Sequence, residues 1–101
     1  MEGTKTMIEL KGSEKQIAWA ERIRQEFFGG LNAEIDTARL RSADGSMGPE
    51  WAAIVEKAAD DILASVEKDT AGRSWIWIEN RHKIVGYSHR VVALASKRRN
   101  S

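Results

Sequence analysis

The chain has 101 residues, of which 42% are hydrophobic and 31% charged, and this length predicts a single domain over residues 1–101. Its formal charge at pH 7 is +1, from 16 basic and 15 acidic residues, and it has no cysteine, which excludes disulfides, thiolate metal sites and cysteine nucleophiles. No apolar run approaches the ~18 residues of a membrane span and the first residues lack an apolar signal core, so we expect a cytoplasmic protein without a membrane partner.

The first part of the chain contains one well-marked helix. Residues 4–10 are too short to classify and fit either an edge strand or an ordered lead-in. Ser13 and Gln16 stand three residues apart, the spacing of a capping box, so a helix is predicted to begin there. Apolar residues then recur at three- and four-residue steps and predict a helix over about 14–28. Gly29–Gly30 is predicted to end it.

The middle of the chain predicts a weak helix and a strong one. Residues 31–42 have few large apolar side chains at helical spacing, which indicates a short, partly exposed helix. Turn-forming residues then predict a loop over 43–48. Pro49 is expected at the first helical position, where proline is tolerated. A long apolar stripe predicts a helix over about 49–68, which the turn residues 69–72 end.

The last quarter of the chain fits two structures. Trp75–Ile78 and Ile84–Tyr87 are aromatic and β-branched runs on either side of a polar turn, and this pattern would make a hairpin over 75–87. The apolar residues of 75–98 also fall on one helical stripe, in which Gly86 costs about 1 kcal/mol. We favour the helix and leave open a break near Gly86. The predicted fold is therefore mainly α, a small domain of three to five helices in which a short N-terminal strand is left open, and the alternative is α+β with the C-terminal hairpin.

The apolar stripes also predict the core. Its expected members share helical spacing and are Trp19, Ile23, Phe27, Trp51, Ile54, Val55, Ile62, Ile78 and Val85. Trp19 and Trp51 are interpreted as structural. Trp75 and Trp77 are two residues apart and point in different directions on a helix, so one of them, Trp75, is expected to be exposed at an interface.

Two fragments resemble a group of small bacteriophage and mobile-element proteins. The sequence GSEKQIAWAERIR at 12–24 is similar to their "GSEKQIAWAE-IR" opening, and WIENR at 77–81 is similar to their "WI(D/E)NR" close. The resemblance covers these two fragments and nothing between them. It implies a helical protein of a phage, plasmid or prophage in a bacterial host cell. Proteins of that kind include nucleic-acid accessory factors and inhibitors of host defence such as anti-CRISPR proteins.

The charges are divided along the chain. All 15 acidic residues and 10 of the basic ones lie within 1–80, whereas 81–99 holds the other 6 basic residues. On a single helix Lys83, Arg90 and Lys97 would stand seven residues apart and share one face. Such a face would bind nucleic acid or a nucleoprotein complex through phosphates, with little sequence preference. The predicted binding residues are Arg81, Lys83, Arg90, Lys97, Arg98 and Trp75.

The helix over 49–68 carries the opposite charge. Glu56, Asp60 and Asp61 are candidate residues of an acidic face that would occupy a basic groove on another protein. They give the alternative function, a protein inhibitor of a host defence nuclease complex, similar to an anti-CRISPR protein. An ordinary solvated face explains the same residues. Opposite charges on different surfaces also favour self-association, so a homo-oligomer is a further interpretation.

No group of residues predicts catalysis. Glu79–His82 gathers an acid, an amide, a cation and an imidazole, but sequence neighbours do not face one another on a helix and no nucleophile pairs with them. His82 and His89 lack the third ligand of a metal site. We therefore expect a non-enzymatic binding protein with no cofactor, no metal and no small-molecule substrate.

Overall fold

The computed structural model describes residues 9–100, which are mainly helical. In chain order the α-helices are α1 (Glu14–Ala43), α2 (Trp51–Thr70), α3 (Ser74–Glu79), α4 (Arg81–Gly86) and α5 (Arg90–Arg99), and a 3-10 turn (Tyr87–His89) joins the last two. The expected mainly α fold is confirmed. The alternative hairpin over 75–87 is wrong, because those residues lie in α3, α4 and the 3-10 turn. The candidate strand over 4–10 lies almost wholly outside the described residues.

The start of α1 is fixed by the predicted capping box. The Ser13 hydroxyl accepts from the Gln16 backbone N–H at 3.2 Å, and the Gln16 side-chain carbonyl accepts from the Ser13 N–H at 3.1 Å. Gly12 precedes the cap with φ 141°. A Cβ at Gly12 would stand 2.7 Å from Gln16 Oε1, so the closed box requires glycine there.

Lys11, two residues before this cap, connects the start of α1 to the start of α3. The Lys11 N–H donates to the Gly72 carbonyl at 2.7 Å, and the Ser74 N–H donates to the Lys11 carbonyl at 3.0 Å. Lys11 thus forms an isolated parallel bridge with Arg73, immediately before α3. The beginning of α1 is therefore held beside the beginning of α3.

Gly29 and Gly30 do not end the first helix, and the predicted separate helix over 31–42 is wrong. α1 continues through both glycines to Ala43, since neither has the positive φ that ends a helix. A Cβ at Gly30 would stand 2.6 Å from the Ser88 hydroxyl. Gly30 therefore lets the 3-10 turn approach the α1 backbone closely, which is a packing role rather than a terminating one.

The start of α2 depends on the preceding helix. Pro49, predicted as its first residue, lies in the turn before α2, which begins at Trp51 without a side-chain cap from its own N-cap residue. The N–H of Ala52 donates instead to the Ser42 hydroxyl of α1 at 3.0 Å. At the other end Ala71 is left-handed, with φ 49°, and its N–H donates to the carbonyl of Glu67.

The single helix expected over 75–98 is wrong, because the chain is interrupted twice. The first break is at Asn80, where φ is −105° and ψ is 17°, and the Asn80 amide donates to the Ile76 carbonyl at 2.9 Å. The second is the 3-10 turn, which follows Gly86 directly, so the break left open there is confirmed. As a result α4 packs against α1, whereas α5 packs mainly against α2.

The core lies between α1 and α2, and α3, α4 and α5 each add buried side chains to it. Ile23, Phe27, Trp51 and Val55 are buried as expected, and the half-buried Ile54, Ile62, Ile78 and Val85 pack against them. Trp77 is fully buried. The core position predicted for Trp19 is wrong, because its side chain is 47% exposed. The buried stripe of α1 passes through Ala20, and Trp19, the residue before it, is rotated from Ala20 by about 100° around the helix axis.

No helix within residues 9–100 combines the length and the apolar character that a membrane span requires.

Candidate nucleic-acid interface

Three cations of the segment 81–99 point to solvent. Lys83 on α4 and Arg90 and Lys97 on α5 are exposed, and none of them forms an ion pair with a carboxylate within the described residues. The guanidinium of Arg90 lies 4.7 Å from the centroid of the Tyr87 ring. Because α4 and α5 are separate helices, the three cations do not lie along one rod as the sequence predicted. We call Lys83, Arg90 and Lys97 the exposed cations.

The last two arginines of the segment have partners inside the molecule. Arg98 forms a 2.6 Å ion pair with Asp61 of α2. Arg99 donates to the Met47 carbonyl at 3.3 Å, and its guanidinium lies 5.4 Å from the Trp51 ring centroid. Arg98 and Arg99 therefore fasten α5 to α2 and to the loop before it, so a phosphate would compete for Arg98 with Asp61.

The acidic face predicted on α2 is partly neutralised. Glu56 forms a 2.6 Å ion pair with Arg39 of α1, while Asp60 is exposed and has no ion pair among residues 9–100. Asp61 is held by Lys57 at 3.2 Å as well as by Arg98. The hydrogen bond from Arg98, and after it the one from Lys57, lowers the pKa of Asp61 below its ordinary value. Two of the three candidate carboxylates are therefore already paired.

The two neighbouring tryptophans of α3 differ completely in exposure. Trp75 is 50% exposed, as the sequence predicted, and is available to a partner. Trp77 is fully buried, and the guanidinium of Arg24 lies 5.3 Å from its ring centroid. Trp77 therefore belongs to the core and cannot reach a partner.

A groove between α1 and α4 was not predicted from the sequence. Trp19, Arg22 and Glu26 of α1 line one side, Arg81 and His82 of α4 line the other, and the volume is about 350 Å³. Its remaining lining residues are Ile23 and Val85. We call it the Trp19 groove.

The geometry of the Trp19 groove depends on Arg81. Its guanidinium lies 5.4 Å from the Trp19 ring centroid and donates to the Ile78 carbonyl at 2.7 Å. A signal for the groove is present in the sequence, because Trp19, Arg22 and Glu26 are spaced three and four residues apart and so share a helical face. The groove was not predicted, because Trp19 was expected in the core.

A second groove lies on the other side of α4. Lys83 lines it together with Asp69 and Thr70 of α2, and its volume is about 180 Å³. Lys83 therefore faces the α2 side of α4, while His82 faces the α1 side. Within the described chain no three His, Cys, Asp or Glu side chains come together as a metal site would require.

Comparison of the chain with protein-family models, with curated proteins and with solved structures gives no match. Its function is therefore inferred from its own residues.

Proposed function

We propose that this protein is a non-enzymatic binding protein that engages nucleic acid, alone or in a nucleoprotein complex, through the segment 81–99. The observation that carries the proposal is the set of exposed cations, Lys83, Arg90 and Lys97, which have no carboxylate ion pair within residues 9–100. The segment contains no acidic residue of its own. Positive charges that no carboxylate of the fold neutralises are available to bind phosphates.

The expected binding is electrostatic and has little sequence preference. Each phosphate that a lysine or arginine neutralises releases counterions, so affinity falls steeply as salt rises. The exposed cations lie on two helices rather than one, which suits contacts with a phosphate backbone more than insertion of one recognition helix into a groove. Phosphate contacts position a protein on nucleic acid without reading its bases.

Charge reversal of the exposed cations tests the proposal. The triple variant Lys83→Glu, Arg90→Glu, Lys97→Glu should elute from heparin or immobilised DNA at clearly lower salt than the wild type. Each lost phosphate contact should reduce the slope of log K against log salt by about 1. Fluorescence anisotropy with a labelled oligonucleotide, measured over a salt series, gives this slope directly.

A second triple variant controls for the change in net charge. Lys15, Arg41 and Arg73 are exposed and lie outside 81–99, so their reversal to glutamate makes the same change elsewhere. It should weaken binding less than reversal of the exposed cations does. Equal loss in the two triple variants would mean that only net charge matters, and unchanged retention of the first would exclude the proposed interface.

A second candidate function is supported by the exposure of two residues. Trp75 is 50% exposed and Asp60 is exposed, which fits a protein that inhibits a host nuclease complex through protein contacts. The ion pairs of Glu56 and Asp61 weigh against it. It predicts negligible DNA affinity, and a pull-down from host lysate that is lost with Trp75→Ala and Asp60→Lys. The resemblance of 12–24 and 77–81 to phage and mobile-element proteins supports a bacterial host setting for either function.

A further inference from the structure

The Trp19 groove presents an aromatic ring that the fold leaves open to solvent. The indole of Trp19 is 47% exposed, although its burial would stabilise the fold. Arg81 lies over the ring, 5.4 Å from the centroid, and is itself held by its hydrogen bond to the Ile78 carbonyl. The ring is thus supported by a neighbour that is already fixed, and this lowers the entropy cost of stacking a ligand on it.

The polar groups around the ring favour a planar ligand that carries negative charge. Arg22, Arg81 and His82 supply hydrogen-bond donors. Among the described residues that line the groove, Glu26 supplies the carboxylate. Arginine donors suit phosphate oxygens, and a carboxylate accepts from an exocyclic amino group of a base. A volume of about 350 Å³ is at the small end of ligand sites, which fits one nucleotide rather than several.

We propose that the Trp19 groove binds one unpaired nucleotide of single-stranded nucleic acid, with its base stacked on Trp19 and its phosphate on Arg22 and His82. This inference rests on the proposed function, in which the segment 81–99 binds the phosphate backbone. Arg81 links the two, since it is the first cation of that segment and also a wall of the groove. A base within a duplex is already stacked and cannot enter, so the groove adds a preference for single strands.

Replacement of the ring tests the proposal. Binding of a labelled oligo(dC) of about 15 nucleotides, whose bases carry an exocyclic amino group, and of a duplex of the same length is measured by fluorescence anisotropy. Trp19→Ala should weaken single-strand binding about 5- to 150-fold, the effect of removing one stacking aromatic, and should leave duplex binding within about twofold. Trp19→Phe, which keeps a ring, should recover most of the loss.

Leu40 provides a control, because it is also a large exposed apolar residue of α1 but does not line the groove. Leu40→Ala should leave the preference for single strands unchanged. An equal loss in Leu40→Ala and Trp19→Ala, or an equal loss on single strands and duplex, would overturn the proposal. Arg22→Gln gives a second test that leaves the indole in place, and an effect on duplex as large as on single strands would also overturn it.

Competition with small anions distinguishes a nucleotide within a strand from a free nucleotide or a free phosphate as the ligand. A nucleoside monophosphate should displace the oligonucleotide weakly, and inorganic phosphate at the same concentration should not displace it beyond its contribution to ionic strength. Equal competition by phosphate would show that no base is bound. A monophosphate that binds as tightly as the oligonucleotide would identify a free nucleotide as the ligand and overturn the assignment to single strands.

Failure of the proposed function gives a different result. In that case reversal of Lys83, Arg90 and Lys97 leaves the affinities for single strands and for duplex unchanged, while Trp19→Ala still weakens single-strand binding. If the inference alone fails, the triple reversal weakens both nucleic acids and Trp19→Ala weakens neither.

Discussion

A buried ion pair joins α1 to α2 and lies against α3. Arg24 of α1 donates to Glu67 of α2 at 3.0 Å, and the two side chains are 5% and 2% exposed. The same guanidinium lies 5.3 Å from the ring centroid of Trp77 in α3. Replacing one partner with an apolar residue leaves the charge of the other buried, which costs about 3–5 kcal/mol. This is a large fraction of the ~5–15 kcal/mol that stabilises a domain.

The size and order of the effects follow from the contacts. Glu67→Met leaves Arg24 its contact with the Trp77 ring, whereas Arg24→Met also loses that contact, worth up to about 2 kcal/mol in a desolvated site. We therefore expect Arg24→Met to be the less stable of the two. The double variant removes both charges and should be more stable than either single variant, because apolar replacement of a whole buried pair is often neutral or stabilising.

Chemical and thermal unfolding, followed by far-UV circular dichroism, measure these differences. The Tm of a domain of this size shifts by about 4–8 °C per kcal/mol, so each single variant should melt at least ~12 °C below the wild type. The matched control is the exposed pair of Arg39 and Glu56, which is shorter, at 2.6 Å, yet has side chains 59% and 44% exposed. Arg39→Met should cost no more than about 1 kcal/mol. The reasoning is refuted if the Arg24 and Glu67 variants cost as little, or if their effects simply add in the double variant.

Two further predictions concern packing and pH. Gly29→Ala should stabilise the fold by about 0.5–1 kcal/mol, because a Cβ there meets nothing within 4 Å. Gly30→Ala should destabilise it by about 1–3 kcal/mol, because a Cβ there would stand 2.6 Å from the Ser88 hydroxyl. Urea midpoints of the two variants that move in the same direction would contradict this. The pKa of Asp61 is lowered from 3.8, chiefly by the hydrogen bond from Arg98, so its contribution is present above that pH and lost as the pH falls. The wild type should therefore lose up to about 1 kcal/mol of its advantage over Asp61→Asn as the pH falls from about 5 to below the lowered pKa of Asp61. A difference in unfolding free energy that stays constant with pH would disprove the linkage.

The candidate interface was only partly predictable from the sequence. The composition of 81–99 indicated a basic surface, and Lys83, Arg90 and Lys97 are indeed exposed. Their placement on two helices was not predicted, because the apolar spacing on which the single helix was based continues through the break at Asn80, where the side chain donates to the Ile76 carbonyl. The pairing of Arg98 with a carboxylate 37 positions earlier is likewise invisible to local sequence patterns.

The sequence by itself determined the elements whose causes are local. The capping box at Ser13 and Gln16 and the helical spacing of apolar residues along α2 involve neighbours within one or two turns, and both appear in the structure. Only the tertiary structure decided whether Gly30 ends a helix or admits the 3-10 turn, and whether Trp19 is buried or exposed. Burial and close approach depend on which helices pack together, and residues far apart in the chain supply those neighbours.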